Sequence, residues 1–192
     1  MEKRRIPTTL IVLLVFSLLG IGAATLVIRT SNTQLSNSAA NNTPVRRVLR
    51  ENTPAPDFTL TTLEGANIKL SDYQGRRIML NFWASWCAPC LAETPDLVSA
   101  YNNLLKQGES DILFVGIGVN DDIQNLRKFA ENNRVPYLIV HDPTSVVADA
   151  YGVIAMPITV FIDEKGLVYR KFIGAVKQQQ VMDVFKEMKG GK

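Results

Sequence analysis

Cysteine is scarce in this chain, with two among 192 residues. Two cysteines cannot tie a disulfide-rich scaffold or fill a four-coordinate structural zinc site, so whatever they do they do as a pair. Histidine is scarcer still: His141 stands alone, just after an apolar run, and reads as incidental. Also missing is an excess of positive charge on the part that should fold. The formal net charge is +3, but the first fifty residues hold seven basic residues against one acid. From residue 51 onward fourteen basic residues face seventeen acidic ones. A nucleic-acid-binding domain carries its basic patch on folded surface, so no nucleic acid is expected as a partner. There is no internal repeat, and the length suits one domain with a short extension.

That extension begins with Glu2-Lys3-Arg4-Arg5, followed by an apolar run from Leu10 to Ile28 broken only by Ser17, Thr25 and two glycines. Such a run, as a helix, reaches roughly 28 Å, close to the hydrocarbon thickness of a bilayer. Secretory signal peptides have shorter apolar regions. Ile21-Gly22-Ala23-Ala24 offers a cleavage site, yet the run continues through Leu26, Val27 and Ile28. The expectation is an uncleaved signal-anchor over residues 1–29. Its basic cluster should stay in the cytoplasm and send the rest of the chain across the cell membrane, to the periplasmic or outer side. Residues 30–53, rich in Ser, Asn, Thr and Ala, read as a flexible linker spanning roughly 25–30 Å.

Residues 54–192 carry the pattern of an α/β domain. Asp57–Thr61 and Ile68–Leu70 alternate around Glu64-Gly65, a hairpin signal. Arg77–Trp83 and Ile112–Ile117 read as buried strands and Tyr137–Val140 as a third. A helix is expected over Ala88–Lys106, kinked at Pro95, with Leu91, Leu97, Val98, Tyr101 and Leu104 or Leu105 on its inner stripe. Asp121 or Asp122 should cap a second helix carrying Ile123, Leu126, Phe129 and Ala130. A short helix over 144–151, a hairpin of 158–162 with 167–173, and a terminal helix bearing Val181, Val184, Phe185 and Met188 complete a mixed sheet flanked by helices.

Trp83-Ala84-Ser85-Trp86-Cys87-Ala88-Pro89-Cys90 puts Cys-x-x-Cys where a buried strand meets a helix. Cys87 should lie at the helix end, where free N–H groups and the dipole favour a thiolate. Cys90, one turn in, should be more buried and stay a thiol. An exposed attacker beside a resolving thiol is what thiol–disulfide exchange requires. Pro89 is tolerated in the first turn, where no intrahelical donor is lost.

With Ala155-Met156-Pro157-Ile158-Thr159-Val160-Phe161-Ile162-Asp163 following later, the chain resembles the thioredoxin superfamily, and within it the membrane-anchored TlpA/ResA/CcmG-like thiol–disulfide oxidoreductases. The likeness covers essentially residues 51–192, including the opening hairpin and an extra strand–helix unit around 112–133. It implies a thioredoxin-like fold and no cofactor or metal. It makes Cys87 the nucleophile, Cys90 the resolving cysteine of a redox-active disulfide, and Pro157 a cis-proline. Trp86, Ala88, Pro89 and Met156 become the substrate-facing residues. Asn81 stands where thioredoxins have a buried Asp, and Glu93 matches a glutamate held near the active-site cysteines, able to relay a proton. The resemblance further implies clients with disulfides, such as haem-attachment cysteines of apocytochromes c. It also implies a membrane electron donor of the CcdA/DsbD kind, because the span contains no cysteine of its own.

Three alternatives stand beside this reading. One is a general thiol oxidase or isomerase. A peroxiredoxin-like peroxidase needs Pro-x-x-x-Thr-x-x-Cys, and here Ala84 lies three residues before Cys87 and Cys87 three before Cys90. A Sco-like copper chaperone, a binding module, needs a wider cysteine spacing and a distal histidine, which only His141 could supply.

Overall fold

The computed structural model describes residues 49–190. The expected signal-anchor and residues 30–48 of the linker lie outside the described residues, among which no helix is long and apolar enough to cross a membrane. The opening hairpin forms as its turn residues dictate. Strands β1 (Thr59–Thr62) and β2 (Asn67–Lys69) pair antiparallel, and Gly65 takes the positive φ of +93° that the turn requires.

Strand β3 (Arg77–Trp83) is buried at every residue, as a central strand packed on both faces must be. Helix α1 (Ala88–Lys106) follows it and continues through Pro95 as one element. Then come β4 (Ile112–Val119), α2 (Ile123–Asn132) and β5 (Leu138–Asp142). The short helix α3 (Val146–Ala150), strands β6 (Ile158–Ile162) and β7 (Val168–Ile173), and helix α4 (Gln178–Gly190) end the domain. The expected unit around 112–133 is thus β4 followed by α2. The sheet runs β2-β1-β5-β4-β3-β6-β7. Strands β3, β4 and β5 are parallel, while β1, β6 and β7 join antiparallel.

Alternation along β3 divides the core. Ile78, Leu80 and Phe82 pack with Val115, Ile117, Val147 and Tyr151 on one face. Met79 turns to the other, against Leu97, Ala100 and Leu104 of α1 and Val181, Val184 and Phe185 of α4. At about 25 cal/mol per Å² of apolar surface, such burial is the main force holding helices to sheet. Asn81, two residues from Met79, shares the α1 face.

Two details depart from the sequence-based expectation, and a third shows how a charged residue is accommodated in a strand expected to be buried. His141 lies within β5, not after it, because β1 pairs alongside and extends the strand through Thr61↔His141. Leu91 is 39% exposed, while Leu97, Ala100 and Leu104 form the inner stripe of α1. Arg77 begins the apolar run yet is 2% exposed. Its charge is matched by ion pairs to Glu109 and Asp111, and it donates to the Phe185 carbonyl at 2.9 Å, as a buried cation requires.

Candidate active site

The carboxyl ends of β3, β4 and β5 open at one edge of the sheet, where open α/β sheets hold their sites. Cys87 leaves β3 after a three-residue loop and becomes the N-cap of α1, in extended conformation. Its N–H donates to the Ala84 carbonyl at 3.1 Å, and its carbonyl accepts from Leu91 N at 3.1 Å. Pro89 sits in the first turn, where its missing N–H costs nothing. Cys87 and Cys90 are joined as a disulfide, their Cα atoms 5.3 Å apart.

The expected contrast in exposure is narrow. Cys87 is 6% and Cys90 1% exposed, so the first cysteine is the more accessible without being exposed. The reason is the loop around it: Trp83, Ala84, Leu126 and Ile139 form one apolar cluster with both cysteines, and Met156 packs against it.

A cleft of about 560 Å³ opens beside the disulfide. Trp86, Cys87, Ala88, Pro89 and Met156 are among the residues that line it. The structure therefore brings the sequence-derived residues of the α1 start together with Met156. The Met156–Pro157 bond is cis; Pro157 is buried and its carbonyl accepts from Gly174 N at 2.9 Å. Cys90, Glu93 and Pro157 stand outside the cleft lining. Its remaining wall was not read from the sequence: Val119 at the end of β4 and Asn120 after it, Ser145 before α3 and Ala148 within it, and Val153, Ile154 and Ala155 before the cis bond. The usable signal was topological, since three parallel strands end at this edge. No lining residue carries a formal charge.

Glu93 is 1% exposed on the inner side of α1. Its Oε1 accepts from Asn81 Nδ2 at 2.8 Å and its Oε2 from Val176 N at 2.9 Å. Asn81 Nδ2 also donates to Thr159 Oγ1 at 3.1 Å, two residues beyond the cis-proline. Burial pushes the Glu93 carboxyl above its ordinary pKa; the Val176 and Asn81 donors offset part of that rise, and Asp96 adds to it.

Two residues taken as one helix start do different work. Asp122 caps α2, accepting from Gln124 N at 2.8 Å and Asn125 N at 3.2 Å. Asp121 instead reaches the cysteine loop, accepting from Ser85 N at 2.6 Å and Ser85 Oγ at 3.1 Å. His141 Nε2 donates to the Asp121 carbonyl at 2.8 Å. Among the described residues no group of three or more His, Cys, Asp or Glu is placed to hold a metal ion.

Residues 52–171 match the AhpC/TSA family. The thiol–disulfide oxidoreductase ResA of Geobacillus thermodenitrificans is 38% identical over 135 residues, covering 70% of this chain and 76% of the relative. ResA of Bacillus subtilis is 31% identical, covering 74% and 78%. Among solved structures, a thioredoxin-family thiol:disulfide interchange protein from Chlorobium tepidum matches with a TM-score of 0.64 at 26% identity, over 74% of this chain and 99% of that one. StoA from Bacillus subtilis matches with a TM-score of 0.59 at 25% identity, over 68% and 97%.

Proposed function

We propose, from the premise that this chain belongs to the AhpC/TSA family and is a ResA-like thiol–disulfide oxidoreductase with a thioredoxin-like fold, that it works as a membrane-tethered extracytoplasmic reductant of client disulfides. The observation that carries the exchange chemistry is a disulfide at a helix N-terminus whose Cys87 lines an uncharged cleft; the tether rests on the apolar run from Leu10 to Ile28. The peroxidase chemistry of the wider family has no support from the residues around Cys87, as the missing signature makes plain.

In the reducing direction the Cys87 thiolate attacks one sulfur of a client disulfide. That S–S bond breaks, a new Cys87–client bond forms, and the other client sulfur leaves as a thiolate. Cys90 then gives up its proton and attacks Cys87 Sγ. The client's second sulfur leaves, the Cys87–Cys90 disulfide forms, and two electrons have passed to the client. Unpaired N–H groups at the α1 N-terminus stabilise the attacking thiolate. Glu93, one turn beyond Cys90, is the group proposed to take and return its proton. The cleft, with Trp86 and Ile154 exposed on it, would receive an uncharged, largely apolar client segment around the reacting cysteine. Haem-attachment cysteines of apocytochromes c are the client class inferred from family likeness, and a CcdA/DsbD-type membrane protein the inferred donor.

The test is reduction of a peptide disulfide by the dithiothreitol-reduced protein. Cys87→Ser should abolish the reaction, while Cys90→Ser should accumulate a mixed disulfide through Cys87. A Cys90→Ser variant that traps no peptide would overturn the assigned roles.

A further inference from the structure

The disulfide itself ties the Trp83–Cys87 loop to α1, yet an attacking Cys87 exists only when that bond is open. The position of Cys87 then depends on its own carbonyl, which accepts from Leu91 N at 3.1 Å, and on whatever holds the loop before it. We infer that Asp121 is a positioning residue that does this: its carboxylate brackets Ser85 and so holds the cysteine loop in the reduced protein. The inference rests on the reading of Cys87 as the attacking thiol.

The bracket is two-pronged. Asp121 Oδ2 accepts from the Ser85 backbone N–H at 2.6 Å and Oδ1 from the Ser85 hydroxyl at 3.1 Å. Oδ1 also takes Asp122 N at 2.8 Å. Three donors converging on two oxygens call for a group that only accepts, which an ionised carboxylate is. From Ser85 the constraint passes directly to the cysteine, because Cys87 N donates to the Ala84 carbonyl at 3.1 Å and closes the turn between them.

The post behind the bracket is stiff. His141 Nε2, from β5, donates to the Asp121 carbonyl at 2.8 Å. Asn120 N donates to the Asp142 carbonyl at 3.0 Å, and Asp122 caps α2 on the following side. Leu126 of α2 lies so close to Gly118 that a Cβ there would meet its Cδ1 at 2.4 Å. Asp121 is therefore held by β4, β5 and α2 together, through hydrogen bonds that involve neither cysteine. Its place just past the end of β4, beside the loop that leaves β3, is a consequence of the parallel pairing Trp83↔Gly118.

Losing the bracket should let the Ser85–Cys87 segment swing away from the α1 N–H groups, and the thiolate would lose their stabilisation. The experiment is the pH profile of Cys87 alkylation by iodoacetamide in the reduced protein, read residue by residue by mass spectrometry, beside kcat/KM for a peptide disulfide. Asp121→Ala should raise the midpoint of the Cys87 profile and lower kcat/KM at neutral pH on the order of tenfold. Asp121→Asn removes the charge and keeps the Ser85 part of the bracket, its amide oxygen accepting from Ser85 N and its NH2 donating to Ser85 Oγ, but it can no longer accept from Asp122 N. Its profile should stay at the wild-type midpoint or fall below it. Ser85→Ala, which removes only the hydroxyl prong, should fall between wild type and Asp121→Ala, and decides the matter if Asp121→Ala does not fold.

A Cys87 profile unchanged in Asp121→Ala, or in Ser85→Ala where the first does not fold, overturns the inference. So does an equal downward shift in Asp121→Ala and Asp121→Asn, which would mean that the carboxylate acts by charge alone. If reduced wild-type protein leaves the peptide disulfide intact, the functional reading fails instead; the alkylation profiles still report the bracket.

Discussion

At the scale of single residues, Glu93 is the group whose environment says most about chemistry. Both carboxylate oxygens accept from N–H donors, yet burial wins and the folded-state pKa stands above its ordinary value. The folded protein then binds this proton more tightly than the unfolded chain. The contribution of Glu93 to stability is therefore greatest below the ordinary carboxylate pKa, and is lost as pH rises from there through the raised value. Glu93→Gln should remove that decline: denaturant unfolding of wild type and variant across pH 4–8 should show a stability difference that moves in favour of the variant as pH rises. A pH-independent difference would mean that the carboxyl is not perturbed. In the reduced protein the same substitution should change the pH dependence of Cys90 alkylation, the readout of a proton relay. The i, i+3 spacing from Cys90 made the placement of Glu93 legible in the sequence. Its partners were not legible, since Asn81 and Val176 come from another strand and from a loop 83 residues away. Asp121 was obscured for the same reason. Local pattern marks an acid before a helix as a cap, and only the parallel pairing of β3 and β4 shows that one of two neighbouring acids faces Ser85 instead.

Elements were readable wherever periodicity or uninterrupted apolarity reported burial directly. Strands β3, β4 and β6 fall where their apolar runs lie, and α4 buries the four residues that its spacing marked. What escaped was set by neighbours: the extension of β5 through His141, and the wall of the cleft built from the end of β4, the start of α3 and the segment before the cis bond. The contact between β4 and α2 shows how finely such neighbours are fitted. At Gly118 an added methyl would collide with Leu126 Cδ1 at 2.4 Å and Cδ2 at 2.7 Å. Gly118→Ala should therefore cost about 1–3 kcal/mol, an overpacking penalty, while Leu126→Ala should cost about 2–5 kcal/mol through the cavity it leaves. Because the new methyl would occupy part of that cavity, the double variant should be more stable than the sum of the two losses allows. Equilibrium unfolding of the four proteins in a double-mutant cycle measures the coupling. Strict additivity would mean that α2 does not touch the strand as described.

On the scale of the whole molecule, the two cysteines set the terms. Both are committed to one disulfide, so each cycle in the proposed reducing direction would leave the protein oxidised, with no further cysteine in the chain to pass electrons onward. A reductant built this way would depend on a donor, and the proposed anchor and linker would keep it within reach of one embedded in the same membrane. A flexible tether of about 24 residues confines the domain to an effective concentration in the millimolar range, which would favour exchange with a membrane donor over exchange in bulk. Two measurements follow from this arrangement. Exchanging residues 1–29 for a cleavable secretory signal, which truncates the mature protein but keeps its export, should release it from membranes and leave its rate against a soluble peptide disulfide unchanged, while in cells the Cys87–Cys90 pair should shift toward the disulfide form as the donor loses contact. The reduction potential of the pair should lie nearer the thioredoxin value of about −270 mV than the strongly oxidising value of about −120 mV. A truncated protein that stays fully reduced in cells would remove the need for the tether, and a potential at the oxidising end would reverse the direction of electron flow proposed for the domain.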